Sequence, residues 1–487
     1  MSTNYRASII LLGLGPGTVD HLTREAWMII EQADEIWLRT RKHPVVDFLP
    51  KQLRIHSFDY LYEELDSFEN VYASIVERII ELGKQKGGII YAVPGHPFVA
   101  EATCTEIVSH ARIAGLKVQI VEGLSFIEPT LSLLEVDPLP QLTLVDALEL
   151  GMAHMPSFPP SSPALVAQIY SREIASNVKL TLSSLYPDQH PVKLVHSAGM
   201  KEAIVESLHL YEIDRSPHID LLTSLYIPPL GDATSFEEFQ DVIARLRAPD
   251  GCAWDREQTH QSLRADLLEE AYEVLTAIDD DDPLAMREEF GDLLLLIVMH
   301  SQIASEYGEF TMSDVLRGIN TKIVNRHPHV FGELEVNDAS EVLSNWERIK
   351  AEERVGNGKS DLSILDGGNL ALPALLQAYQ YQTRVARVGF DWTDIDGVWN
   401  KIYEEIDEIR TVDDQVELNN ELGDLLFTIV NLARWLNVDP ESALRLANDR
   451  FKKRFNQIES VARAKGKKLT DLTMDEMDAY WEQAKHK

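Results

Sequence analysis

The sequence predicts a multidomain protein: an N-terminal α/β domain followed by two all-α helical-bundle units. Three observations carry this. The chain has 487 residues, more than one core organises, since domains usually hold roughly 100–200. Near residue 236 the pattern changes from short apolar runs between helical stretches to long amphipathic helices. The helical half then repeats itself in order. The expected domains are residues 1–228 (α/β), 229–355 (first helical unit) and 356–487 (second helical unit).

Composition narrows the class. Hydrophobic residues make up 45% and charged residues 25%, ordinary for a globular protein. The net charge is −34, from 79 acids against 45 bases. A surface that acidic repels phosphate backbones, so nucleic acid is not an expected partner. A small anionic ligand would need metal ions or a local Lys/Arg cluster to offset the field. No apolar run approaches the ~18 residues of a membrane span, and no signal-peptide layout is present. With two cysteines, Cys104 and Cys252, a disulfide framework is not expected and a cytoplasmic setting fits.

In the α/β part, residues 9–12 are an apolar run ending in Gly13-Leu14-Gly15-Pro16-Gly17. Residues 89–93 are a second, ending in Pro94-Gly95-His96-Pro97, and residues 117–121 a third, stopping at Gly123. A helical pattern covers residues 71–82. Short apolar strands closed by glycine turns predict ligands near the carboxyl ends of a sheet. Residues 156–163, rich in proline, predict a loop, and Pro228-Pro229-Leu230-Gly231 closes the domain. A second linker, Val355-Gly356-Asn357-Gly358-Lys359-Ser360, divides the helical half.

Its two parts match. Glu269-Glu270-Ala271-Tyr272-Glu273 pairs with Glu404-Glu405-Ile406-Asp407-Glu408, and Glu289-Phe290-Gly291-Asp292 with Glu421-Leu422-Gly423-Asp424. Asn320 and Arg326 pair with Asn448 and Arg454 at equal spacing, and Trp346 and Lys350 with Trp481 and Lys485.

On a helix, Glu269, Glu270 and Glu273 fall within about one 100° arc, opposite an apolar stripe. Alone, that is usually a solvated face. Glu289 and Asp292 change the weighing, because they precede residues 293–299, a run apolar all round and expected to be buried. Carboxylates there are costly unless paired or bound to a cation. No Lys or Arg occurs between Glu288 and Arg317, and the arrangement recurs at Glu421 and Asp424. Hard oxygen donors without His or Cys beside them favour Mg²⁺ or Mn²⁺. A carboxylate outside the metal set, Glu269 or Glu404, could serve as base for a water.

Basic residues offer an anion site: Asn320, Lys322 and Arg326 in one unit, and Asn448, Arg450, Lys452, Lys453 and Arg454 in the other. A solvated basic face remains the alternative. Trp346 and Trp481 could stack on a base or serve as partly buried core.

These residues resemble the MazG family of nucleoside triphosphate pyrophosphohydrolases, whose signature is E-E-x-x-E followed after a loop by E-x-x-D. The stretch from Cys252 to His260 is similar to that family's C-P-W-D-x-x-Q-T-H, with Ala253 replacing Pro. Arg326-His327-Pro328-His329-Val330-Phe331 and Arg387-Val388-Gly389-Phe390-Asp391-Trp392 are similar to it as well. The resemblance implies Mg²⁺-dependent hydrolysis of NTP or dNTP to the monophosphate and pyrophosphate. It implies metal binding by Glu270, Glu273, Glu289 and Asp292, and by Glu405, Glu408, Glu421 and Asp424. Substrate would be bound by Asn320, Lys322, Arg326, Trp346 and Lys350, and by Asn448, Arg450, Arg454, Trp481 and Lys485. The helical units also offer surfaces for a homo-oligomer.

The first 228 residues resemble the tetrapyrrole (corrin/porphyrin) methylases, which bind S-adenosylmethionine; the similar pieces are the Gly13–Gly17 turn, Ala33-Asp34 and Pro94-Gly95-His96-Pro97. The implied cleft would involve Gly13, Gly15, Gly17, Gly95 and His96. That family usually has Gly-Asp-Pro where this chain has Gly95-His96-Pro97, so weak or absent S-adenosylmethionine binding is expected. Two other functions compete: an S-adenosylmethionine-dependent methyltransferase with accessory helices, and a nucleotide sensor without catalysis. Intact acidic sets in both units argue against the sensor.

Overall fold

The computed structural model describes residues 7–356, 363–365, 371–412 and 414–485. Of the expected second linker, residues 357–360 lie outside the described residues, whereas Val355 and Gly356 complete a helix. The chain forms two compact units, Met1–Val315 and Leu316–Lys487.

The first unit opens with five parallel strands, β1 (Ile9–Gly13), β2 (Glu35–Leu38), β3 (Arg54–Ser57), β4 (Ile89–Val93) and β5 (Val118–Val121), ordered β3-β2-β4-β1-β5. β1 and β4 are buried at every position, which is why they read as unbroken apolar runs rather than alternating ones. Helix α1 (Arg24–Gln32) covers one face through Ala26 and Ile30. Helices α2 (Phe68–Gly83) and α3 (Ala102–Ile113) cover the other through Ile75, Ile79 and Ile107. A second sheet holds β6 (Thr143–Asp146), β7 (Ala164–Ala167), β8 (Pro191–His196), β9 (Ile204–His209) and β10 (Thr223–Ile227), ordered β6-β7-β10-β8-β9. Only β6 and β7 run parallel there. Helix α4 (Arg172–Leu182) packs on it through Ala175, Val178 and Leu182. The proline-rich residues 156–163 form a loop between the sheet's first two strands.

Glycines set how closely the turns approach. Gly15 and Gly95, both at positive φ (78° and 68°), form a bridge. A Cβ on Gly13 would lie 2.6 Å from the Gly95 oxygen and 2.7 Å from the Gly123 nitrogen. The turns after β1, β4 and β5 therefore touch backbone to backbone, which only glycine permits. Gly17 likewise abuts the Gly199 carbonyl.

The helical part of this unit starts at α5 (Phe236–Arg247), capped reciprocally by Ser235 and Glu238. Helices α6 (Arg264–Asp279) and α7 (Pro283–Glu306) form a hairpin. Asp282 caps α7, accepting from the Leu284 and Ala285 amides, with Pro283 in the first turn. Leu296, Val298 and Met299 are buried with Ile243, Leu263 and Ile303. Phe290, Leu294 and Ile297 are instead 38–51% exposed. Full burial of residues 293–299 was therefore too strong an expectation, because the hairpin covers one face of α7.

The boundary between the units falls in α8 (Met312–Arg326). The second unit continues with α9 (Ala339–Gly356), α10 (Ala374–Ala386), α11 (Ile395–Thr411), α12 (Gln415–Trp435), α13 (Pro440–Ala464) and α14 (Met474–Lys485). Helices α11 and α12 form a hairpin like α6–α7, and Asp414 caps α12 as Asp282 caps α7.

If the turn packing governs stability, Gly17→Ala should destabilise the α/β domain by about 1–3 kcal/mol, because the new methyl meets a carbonyl that cannot yield. Thermal unfolding checks this; an unchanged melting temperature would show that the Gly199 turn can move away.

Candidate active site

The α6–α7 hairpin brings carboxylates together from both helices. Oxygens of Glu270, Glu273 and Glu289 all lie within 4.8 Å of one another. Glu270 Oε2 is buried with no hydrogen-bond partner among the described residues. Desolvation first, then repulsion from Asp292, Glu273, Glu289 and Glu269, raises the Glu270 pKa. Desolvation and then Glu273, Glu288 and Asp292 raise that of Glu289. Asp292 thus neighbours the group without belonging to its tightest part, and Glu269 stands exposed beside it.

The α11–α12 hairpin repeats this with Glu405, Glu408 and Glu421, again within 4.8 Å. Glu405 is 3% exposed, and its Oε2 lacks a partner among the described residues. Desolvation, then Glu408, Glu405 and Asp424, raises the Glu421 pKa. One feature breaks the symmetry. Lys401 Nζ lies 2.7 Å from Glu404 Oε1 and 2.8 Å from Glu405 Oε1, and these contacts push the lysine pKa upward. Three residues before the acidic pair, the first unit has Asp266 instead. The motif reading missed Lys401, although its i, i+3 and i, i+4 spacing to Glu404 and Glu405 was there to be read.

The chemistry of the donors suits a hard divalent cation. They are all carboxylate oxygens, they crowd one another, and each group presents one buried oxygen without a donor. Neutral packing would not leave a carboxylate in that condition.

Several of the expected anion-binding residues also come together. Arg326 stands 5.5 Å and Lys350 4.7 Å from the Trp346 ring centre, and Arg326 is held by Glu353 at 2.5 Å. The Arg326 bonds, with Lys322 and Lys350 nearby, lower the Glu353 pKa. Arg454 stands 5.6 Å from the Trp481 ring centre, and Lys485 pairs with Glu482. Both tryptophans thus carry cations on their faces. Asn320, Asn448 and Arg450 are exposed on α8 and α13.

In the α/β domain a cavity of about 280 Å³ is lined by Lys42, His43, Gly95, Ser125, Met200 and Thr223 among others. Of the five expected cleft residues, Gly95 lines it; Gly13, Gly15 and Gly17 serve turn packing, and His96 Nδ1 accepts from the Phe98 amide. Burial lowers the His43 pKa. Its neutral ring accepts from the Val45 amide at Nδ1 and so donates from Nε2 to the Gly15 carbonyl. Lys42 and His43 lie outside every glycine motif, so no residue pattern pointed to them.

The MazG nucleotide pyrophosphohydrolase domain model matches residues 258–331 and 396–458, and the tetrapyrrole (corrin/porphyrin) methylase model matches residues 8–214. The Bacillus subtilis (strain 168) protein YabN is 39% identical over 98% of both chains. The Thermotoga maritima nucleoside triphosphate pyrophosphohydrolase/pyrophosphatase MazG is 47% identical, covering 51% of this chain and 95% of its own. The Escherichia coli (strain K12) nucleoside triphosphate pyrophosphohydrolase is 44% identical, covering 50% of this chain and 94% of its own.

The raised carboxyls set a sign for pH. A carboxyl whose pKa is higher folded than unfolded removes stability at neutral pH and restores it as pH falls toward its ordinary 4.5. Protons and a cation compete for the same oxygens. Added Mg²⁺ should therefore raise the melting temperature most near pH ~8 and progressively less toward pH ~5.5. A Mg²⁺ response that stays flat over that range would count against cation binding at Glu270, Glu289 and Glu421.

Proposed function

Because the chain belongs to the MazG nucleotide pyrophosphohydrolase family, carried behind a tetrapyrrole (corrin/porphyrin) methylase domain, we propose that each helical unit cuts nucleoside triphosphates at its own carboxylate cluster. The chain is a nucleoside triphosphate pyrophosphohydrolase. Cleavage falls between the α and β phosphates of NTP or dNTP, leaving the monophosphate and pyrophosphate, a housekeeping reaction of the nucleotide pool. One observation supports the location above others: Glu270 and Glu405 each bury an oxygen without a donor among the described residues, with two further glutamates of the cluster within 4.8 Å.

Glu270, Glu273 and Glu289, with Asp292 beside them, would hold Mg²⁺ or Mn²⁺ in the first unit. Glu405, Glu408, Glu421 and Asp424 would do so in the second. When bound, such an ion offsets phosphate charge and lowers the pKa of a water. The protein's own groups supply the rest. Glu269 and Glu404, adjacent to the clusters but outside them, would accept a proton from an attacking water. Glu404 first has to part from Lys401. Asn320, Lys322, Arg326 and Lys350, like Asn448, Arg450, Arg454 and Lys485, would take phosphate oxygens, with Trp346 and Trp481 steadying the cations above their rings.

The domain limits that go with this reading are 1–228, 229–355 and 356–487. The setting is cytoplasmic, and no helix among the described residues is long and apolar enough to cross a membrane. Partners are small nucleotides rather than nucleic acid, in keeping with the net charge of −34. The exposed apolar side chains of α7 support self-association through the helical units. The methylase-family domain keeps a cleft, but with His96 in place of the usual aspartate it transfers no methyl group to a tetrapyrrole precursor.

Three outcomes check this. With Mg²⁺ the protein should release NMP and pyrophosphate from NTPs and lose that activity in chelator; NDP and phosphate as products would overturn the reading. Asp292→Asn and Asp424→Asn together should lower turnover by roughly two or more orders of magnitude, while the metal-free protein melts no lower than wild type because repulsion is relieved. If the aspartates are instead structural ion partners, each loss costs about 3–5 kcal/mol and the melt falls. Finally, labelled S-adenosylmethionine should leave no label on tetrapyrrole precursors, and robust transfer would reverse the assignment of the α/β domain.

A further inference from the structure

The α6–α7 hairpin carries a second feature that its carboxylates do not explain. His260, in the turn that leads into α6, meets His300 on α7, with 2.8 Å between the two Nδ1 atoms. The ring planes differ by 7° and the ring centres stand 5.1 Å apart. That separation is the nitrogen gap lengthened by the two ring radii, so the imidazoles lie in one plane and meet tip to tip. Such geometry is an in-line hydrogen bond, in which one Nδ1–H donates to the lone pair of the other Nδ1.

The bond has a fixed proton count. One proton sits between the rings, and one outer nitrogen carries the second. The pair can take one more and stay bonded, whereas a further proton would set two N–H groups against each other. His300 Nε2 is buried with no hydrogen-bond partner among the described residues, so a proton held there finds no acceptor. Burial first, then His260, lowers the His300 pKa, and among the described residues His260 is the one titratable group whose charge reaches it. On the adjoining elements, Arg247 of α5 answers Glu306 of α7 at 2.7 Å and also attracts Asp255 of the lead-in.

The pair closes the open end of the hairpin. Glu270 lies ten residues after His260 and Glu289 eleven before His300, so pair and cluster share one antiparallel register. They stand roughly 15 Å apart along the axes. The loop between α6 and α7 ties the helices on one side of the cluster, and His260–His300 ties them on the other. Between these ties Glu270, Glu273 and Glu289 push the helices apart. The turn itself is held by Arg247, which donates to the Asp255 and Gln258 carbonyls, and by Leu263 in the core. A change at His260 is therefore passed to α6 rather than absorbed by a loose loop.

The second unit has no such pair. Counted from the matched glutamates, Ile395 stands where His260 does and Leu432 where His300 does, both half-buried. Joining the helices at this end thus requires no ionisable group; what the histidines add is titration.

We propose that His260 and His300 are positioning residues of the first unit, that their in-line bond holds α6 and α7 at the spacing the carboxylates need for a cation, and that acid opens the bond and loosens that cluster alone. The proposal rests on the cation and pyrophosphohydrolase reading. Its sign is fixed. An imidazole kept neutral by folding lends stability above its ordinary 6.5 and withdraws it as pH falls. The raised carboxyls act the other way, so the two effects separate.

The test measures Mg²⁺ binding calorimetrically in the full chain, with the second cluster silenced by Glu405→Gln, Glu421→Gln and Asp424→Asn. His260→Ile with His300→Leu copies the second unit, keeping apolar packing and removing the titration. Between pH ~7.5 and pH ~5.5 this double variant should lose about fivefold less Mg²⁺ affinity than wild type. His260→Ala, which breaks the bond without replacing it, should bind Mg²⁺ about fivefold more weakly than the double variant at pH ~7.5. Imidazole ¹⁵N spectra should show one proton shared by two ring nitrogens in wild type and in neither variant. Equal pH dependence in wild type and the double variant, or no shared proton in wild type, would overturn the positioning role. A wild type that binds no Mg²⁺ at either pH would remove the cation reading and the role with it. Mg²⁺ binding as described, with no pyrophosphate released from any NTP, would remove the hydrolase reading alone.

Discussion

Mutual repulsion between carboxylates is the constraint around which the helical units are built. Glu270, Glu273 and Glu289 are held within 4.8 Å of one another in a chain of net charge −34, so neither their neighbours nor the wider field favours the arrangement. Something stiffer than the side chains has to impose it. That is the antiparallel hairpin, started at a fixed point by Asp282 and Pro283 and anchored by Leu296, Val298, Met299 and Ile303 further along α7. The burial that pins α7 lies about two to four turns beyond Glu289, so the frame bears the load while the charged end stays accessible. The second hairpin follows the same plan with Asp414 as its cap.

A different economy governs the α/β domain, where the backbone rather than charge is brought close. The turns after β1, β4 and β5 meet at Gly13, Gly95 and Gly123. In the same domain, Arg39 pairs with Glu101 and also donates to the Tyr62 and Tyr72 hydroxyls, each at 3.0 Å. Glu101 caps α3 through the Thr103 amide and accepts from its hydroxyl. It is the carboxylate nearest in sequence to His96, yet every one of its oxygens is engaged. It therefore cannot stand in for the aspartate that the methylase pattern places at that position.

Much of this was legible in the residues. Unbroken apolar runs at β1 and β4 announced buried strands, and the duplicated acidic motifs located both hairpins. Strands such as β6 and β9 carry little apolar signal because their side chains are largely uncovered, so local pattern could not mark them. Burial of α7 was overestimated because periodicity reports what a helix could cover, not what its neighbours reach. Lys401 and His300 escaped because each is ordinary in type and acquires meaning only from what the fold sets beside it: two glutamates in one case, a second imidazole in the other.

Those two residues bear on what duplication has done here. Both units keep the acidic motif, and in each three of its glutamates bring oxygens within 4.8 Å of one another. The differences lie around it. Where the first unit has Asp266, the second has Lys401, which binds Glu404 and Glu405 and relieves part of the repulsion before any cation arrives. A cluster so compensated gives up less energy on taking a cation and must also break a lysine contact to free Glu404. An uncompensated cluster gains more from a cation and keeps Glu269 unencumbered. The two copies thus share a carboxylate cluster but differ in how far its charge is balanced at rest, and on the reading proposed above that difference would set how each responds to metal and pH without any change in the carboxylates themselves.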